Sequence, residues 1–344
     1  MLFLNSQKMS LPRLSFAVLA RKVGTQGHAA VDGTRLGRRF WIAPLSALAL
    51  CAGCREDAGR ADWATAAERP LRVVCTTGIV ADMVRNVGGP NIQVATLMRD
   101  GIDPHTYKAC MGDIHALAGA DVVFYSGLHL EGKLAEVLER LGRKKRVVAL
   151  ASAFGPGDLI SQDGGVADPH VWFDVSLWSR TIDVVERTLS SMDPQRAGEY
   201  AERAESHRRT LTALHEEVKA RLASIPRERR VLVTAHDAFQ YFSRAYDIEV
   251  RAIQGVSTES EAGLREINAL VQFLVDRGIK AVFVESTIDE SNVRALIEGC
   301  AARGRRVTIG GELYSDSMGP PHAPEGTYVG MVRHNVEVVA RALQ

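Results

Sequence analysis

The chain has 344 residues, of which 46% are hydrophobic and 24% charged, with a formal net charge of +1. Such a composition is globular and excludes a collagen-like or disordered polypeptide, and the near-cancelling charge argues against a nucleic-acid partner. At roughly 150 residues per domain, two domains are expected.

The charge is unevenly placed. Residues 1–53 carry seven Lys/Arg and one Asp, which leaves the remainder at net −5. Arg35, Arg38 and Arg39 precede an apolar run, Phe40 to Leu50, that is too short to span a bilayer. Ala52 and Gly53 then lead to Cys54. This order resembles a bacterial lipoprotein signal over residues 1–53, which implies lipidation of Cys54; cleaved secretion without a lipid is the alternative. Cys51 departs from the pattern, standing where Leu is usual. Residues 54–70 are polar and aperiodic, as a tether would be. Cys75, Cys110 and Cys300 are odd in number and lack CxxC spacing, so no disulfide framework or thiolate zinc site is implied.

Order is expected from Leu71. A β-branched strand to Thr77 is followed by a helix over Ile79–Val87, a strand over Ile92–Met98 and a loop from Arg99 to Tyr107. A helix carrying Ile114 and Leu117, a strand over Asp121–Tyr125, a helix over Leu134–Leu141 and a strand over Arg146–Leu150 complete the first series. Such alternation predicts βα units and a mostly parallel sheet. Asp193-Pro194 reads as a cap with a first-turn proline, opening a helix to about Ser224 with Leu211, Leu214, Val218 and Leu222 on one face. About 30 residues span about 45 Å, more than a crossover needs. Strands are then expected at Arg230–Thr234, Ile248–Ile253, Lys280–Val284 and Arg306–Ile309. The helices between them should start at Ala238, Ser260 and Val293, with a last one over Tyr328–Leu343. The expected fold is α/β: an N-terminal lobe (71–192) and a C-terminal lobe (226–344), each with a mostly parallel sheet flanked by helices, joined by one rigid helix (193–225).

The tripeptide Asp-Pro-His occurs twice, at Asp103-Pro104-His105 and Asp168-Pro169-His170. Proline holds each histidine on a defined turn, and such loops collect at carboxyl strand ends, where open parallel sheets bind ligands. One such histidine alone would read as a surface turn; the duplication argues for a site. His236 follows directly on the strand ending at Thr234, with Asp237 placed to cap the next helix. Asp316 lies on the loop after the last strand, where alone it would be a solvated turn residue. Three imidazoles and a carboxylate form a full donor set for a divalent transition metal, and here they come from both lobes.

The chain from Leu71 onward resembles the TroA-like (cluster A-I) solute-binding proteins of metal ABC importers. The matching stretches are Asp103-Pro-His-Thr-Tyr107, Gly127-Leu-His-Leu-Glu131, Asp168-Pro-His-Val-Trp172, His236-Asp-Ala-Phe239 and Leu313-Tyr-Ser-Asp-Ser-Met318, followed by Thr327-Tyr-Val-Gly-Met331 with His334-Asn335. The resemblance implies metal ligands at His105, His170, His236 and Asp316, a lipid anchor at Cys54, a membrane permease as partner, and a monomer in the periplasm or cell envelope. The metal, Zn²⁺ or Mn²⁺, would be cargo and the protein no enzyme. His129 would be structural and His322 exposed; His115, His207 and His215, on predicted helices, have no partner in view, and Cys110 has no second thiolate beside it. Glu285, after the strand Ala281–Val284, is a candidate for orienting a ligand imidazole. The competing readings are a zinc hydrolase, which requires an open His₃ site, and a surface adhesin of the same fold.

Overall fold

The computed structural model describes residues 69–161 and 165–344, so the expected signal (1–53), Cys54 and nearly all of the expected tether lie outside the described residues. In the first lobe β1 (Leu71–Cys75), α1 (Gly78–Gly88), β2 (Ile92–Thr96), α2 (Met111–Gly119), β3 (Val122–Tyr125), α3 (Ala135–Gly142) and β4 (Arg146–Ala149) alternate along the chain. All pairings are parallel, in the order β2-β1-β3-β4. Central β1 and β3 are buried through Val73, Val74, Cys75, Val122, Val123 and Phe124, as inner strands covered on both faces require. Thr77 caps α1 by accepting from the Val80 amide, which fixes the turn out of β1.

Two helices follow where the sequence reading named none: α4 (Val175–Trp178) and α5 (Thr181–Met192). The signal for α5 is Ile182, Val185 and Leu189, spaced by three and four and all fully buried. The long helix α6 (Ala197–Ala223) has 27 residues, about 40 Å at the standard rise. Asp193 does not cap it: a short 3₁₀ turn, Pro194–Arg196, intervenes, and the carboxylate instead accepts from Arg196 at 2.6 Å and Tyr200 at 3.1 Å.

The second lobe runs β5 (Val231–Thr234), α7 (Gln240–Tyr246), β6 (Glu249–Ala252), α8 (Leu264–Arg277), β7 (Ala281–Glu285), α9 (Ser291–Ala302), β8 (Thr308–Leu313) and α10 (Tyr328–Leu343). Parallel ladders β5-β6 and β7-β8 lie side by side through β5 and β7. Expected boundaries are corrected here: α8 starts at Leu264, not Ser260, and β8 at Thr308, not Arg306. β8 continues four residues beyond Ile309, because Gly310-Gly311 forms a bulge opposite Val282/Phe283 rather than a stop. A Cβ on Gly310 would sit 2.9 Å from both Phe283 and Ala342, so only glycine lets the strand pass beneath them. Helix α7 starts at Gln240, not Ala238. The Ala238 amide bonds to the His236 carbonyl at 3.0 Å in a tight turn, and Asp237 accepts from the Gln240 side chain instead of capping.

One apolar core runs through both lobes. Tyr200, Ala204, Leu211, Leu214, Val218 and Leu222 of α6 are buried within it, against α1 and α5 of the first lobe and α7 and α10 of the second. The helix is thus clamped along its length by both halves. Among the described residues, no helix is long and apolar enough to cross a membrane.

Candidate metal centre

The four clustered side chains all enter from loops. His105 lies between β2 and α2, His170 before α4, His236 directly after β5, and Asp316 just beyond β8. The Gly310-Gly311 bulge delivers that last loop. Exposure is 3% for His105, 2% for Asp316 and zero for the other two, and one potential ligand atom from each lies within 4.8 Å of all the others. His170 Nε2 is 3.3 Å from His105 Nε2 and 3.4 Å from His236 Nε2. The Asp316 oxygens lie 3.5, 3.4 and 3.3 Å from the Nε2 atoms of His105, His170 and His236. A tetrahedral ion with bonds of about 2.0–2.1 Å has donor–donor edges of about 3.3 Å. Two of the three imidazole pairs stand at that spacing, as do the Asp316 contacts when both carboxylate oxygens are counted.

Carboxylates hold two of the rings from behind. Asp168 Oδ1 accepts from the His170 backbone amide at 2.9 Å and pairs with Nδ1 at 2.8 Å. Glu285, the last residue of β7, accepts from the His236 amide at 2.8 Å and meets Nδ1 at 2.5 Å. A neutral imidazole that donates Nδ1–H to a carboxylate presents its Nε2 lone pair to the centre, the arrangement a ligating histidine needs. Below the rings the floor is aromatic: Trp172 packs edge-on to His170 with centroids 5.3 Å apart, and Phe173 stacks on Phe239 at 4.2 Å. Trp172 Nε1 donates to the Ser315 carbonyl at 3.1 Å, joining the His170 loop to the Asp316 loop.

The electrostatics are those of a concentrated buried charge. Neither Asp316 oxygen has a well-aligned hydrogen bond, and the nearest polar atoms are the three imidazole nitrogens. Burial would raise its carboxyl, but the three imidazoles, His236 foremost, hold it well below the usual range. Burial would lower His236, yet the Glu285 and Asp316 carboxylates outweigh it and hold that ring well above the ordinary histidine value. His105 goes the other way, pushed down to about 4 by burial against the opposing pull of Asp316. A buried carboxylate costs several kcal/mol unless a cation meets it; in the metal-free site the His236 ring is that cation, and a divalent ion would take its place. The cluster could hold a divalent metal ion.

The remaining candidates fall elsewhere. His115, His129, His322 and Cys110 are exposed, His207 is buried on the core side of α6, and His215 pairs with the Tyr246 hydroxyl. Sequence reasoning passed over Asp168 as a ring partner, although the repeated Asp-Pro-His was the signal for it. The tripeptide is used in two ways. Asp103 and Asp168 both accept from the amide of the histidine two residues on, but only Asp168 also reaches its ring.

Known proteins match this sequence and fold. The profile of the family described as "Zinc-uptake complex component A periplasmic" covers residues 73–342. The manganese-binding lipoprotein MntA of Bacillus subtilis is 45% identical over 85% of this chain and 94% of its own length. The solved structure of the periplasmic zinc-binding protein TroA from Treponema pallidum is 44% identical, with a TM-score of 0.78 over 80% of this chain and 99% of that one. The metal ABC transporter substrate-binding lipoprotein SloC of Streptococcus mutans is 28% identical over 80% of this chain and 91% of its own length. The chain belongs to the periplasmic zinc-uptake component A (ZnuA) family of metal-binding, solute-binding proteins.

Proposed function

We propose that the protein captures Zn²⁺ or Mn²⁺ as cargo between its lobes, at His105, His170, His236 and Asp316, and delivers it to the membrane permease of an ABC importer. The observation that carries this reading is the Asp316 carboxylate, buried with its two oxygens facing three Nε2 atoms at 3.3–3.5 Å. Four protein donors complete a tetrahedron and leave no vertex for an activated water, so the geometry favours capture over hydrolysis. In this reading the protein is a monomer of the cell envelope, with residues 71–192 and 226–344 as its lobes and Cys54 as its lipid anchor.

Relatives named for manganese and for zinc are almost equally similar, so likeness does not choose the ion. The donors bear on it. Asp316 turns Oδ1 to His170 and Oδ2 to His105 and His236, so the carboxylate could serve either ion, but an imidazole-rich set binds Zn²⁺ above Mn²⁺. Protein purified without added metal should carry one ion per chain by elemental analysis, and Zn²⁺ should displace Mn²⁺ in direct competition. Absence of any stoichiometric metal after equilibration with either would overturn the reading.

Glu285 is proposed to orient His236. Glu285→Gln keeps the size but removes the charge behind Nδ1, and should weaken metal binding by about 10–100-fold without changing stoichiometry. Chelator competition on the folded variant measures this; wild-type affinity would show that Glu285 serves only the backbone turn.

A further inference from the structure

Resting on the functional reading above, the three histidines are not anchored alike. His170 and His236 each have a carboxylate on Nδ1, whereas His105 has none among the described residues. Its loop is tied to the opposite lobe instead. Asp103, which accepts from the His105 amide at 2.8 Å, also accepts from the Thr258 hydroxyl at 2.6 Å, and Thr258 belongs to the second lobe, on the loop between β6 and α8. Two further bonds cross the same rim: the Gly101 amide donates to Ser317 Oγ at 2.8 Å, and Lys133 pairs with Glu259. Between these loops lies a polar hollow of about 390 Å³ lined by Asp103, Thr258, Glu261, Asp289 and Asn292.

With the donors 0–3% exposed, an ion cannot enter or leave unless part of this rim opens. The core beneath is continuous through α6, whereas the rim is held by a few polar bonds on partly exposed loops, the kind of region that opens at least cost. We propose that Thr258 and Asp103 form the latch of the site: the bond between them holds the His105 loop closed over the ion, and His105 is the ligand that leaves first when it breaks. Thr258 acts as a positioning residue. It touches no ion, but through Asp103 it sets the placement of the ligand carrying the least support of its own. The Lys133–Glu259 pair is an exposed ion pair and adds little.

The test is Thr258→Val, which keeps the shape and removes the donor, beside Thr258→Ser, which restores the hydroxyl. Zn²⁺-loaded full-length protein is mixed with excess EDTA, and release is followed by stopped flow. A hydrogen bond to a carboxylate accounts for roughly a tenfold or greater change in rate, so Thr258→Val should release Zn²⁺ about tenfold faster with its stoichiometry of one unchanged, and Thr258→Ser should behave as wild type. Hydrogen exchange on the metal-free proteins is read in parallel. Thr258→Val should speed exchange over residues 99–107, in the lobe that the substitution does not touch. Unchanged release and unchanged exchange over 99–107 would overturn the latch, as would equal acceleration by Thr258→Ser. If the wild type took up no Zn²⁺, the functional reading would fall, and exchange over 99–107 would still decide whether Thr258 holds that loop.

Discussion

His105→Ala should weaken metal binding by about two to three orders of magnitude while leaving the metal-free fold as stable as the wild type. Structural zinc sites bind with about 10–16 kcal/mol, so each of four donors accounts for about 2.5–4 kcal/mol, and every 1.4 kcal/mol is tenfold. His105 is the clean position for this experiment because no carboxylate is left stranded behind its ring. His236→Ala should lose at least as much affinity but also destabilise the metal-free protein. It removes the ring that lies between Glu285 and Asp316, leaving two buried carboxylates without their shared counter-charge. Breaking a buried pair in this way costs about 3–5 kcal/mol. Chelator competition gives the affinities and thermal melts of the metal-free variants give the contrast. Wild-type affinity in His105→Ala, or identical melts for the two variants, would contradict the roles assigned to these rings.

Affinity should also fall as pH drops, by about tenfold per unit between pH 8 and 6. The sign follows from which form binds. Metal takes the deprotonated imidazole, and His236 is held well above the ordinary histidine value in the metal-free site, so loading must displace its proton across the neutral range. His105, pushed down to about 4, is already neutral there and contributes no proton. The proton that loading must displace is therefore expected on His236, clamped between the Glu285 and Asp316 carboxylates. Calorimetry in buffers of different ionisation enthalpy should count close to one proton released per ion at pH 7. An affinity constant over pH 6–8 would remove His236 from the donor set.

The four side chains of the cluster were legible in the sequence because each follows a recognisable strand end or a proline-fixed turn, and the duplicated Asp-Pro-His singled two of them out. The βα rhythm and the long central helix were legible through β-branched runs and three-four spacing. What stayed hidden depends on contacts between distant segments. Nothing local distinguishes Asp168, which clasps its own histidine, from Asp103, which reaches across to Thr258 155 residues away. Gly310-Gly311 interrupts the β-branched run after Ile309, and the close packing of Phe283, Val338 and Ala342 over the pair, which lets the strand continue as a bulge, is not visible locally. Helix α5 carried a readable apolar stripe, masked by the irregular, aromatic stretch before it.

The continuous core along α6 has a mechanical consequence. A rod gripped by both halves over about 40 Å resists bending, since any large swing would peel Leu211, Leu214, Val218 and Leu222 out of their packing. The molecule is therefore built as a stiff frame with a small hatch, and not as a clam shell. A downstream acceptor must work on the hatch, and the work it does there is set by a handful of polar bonds.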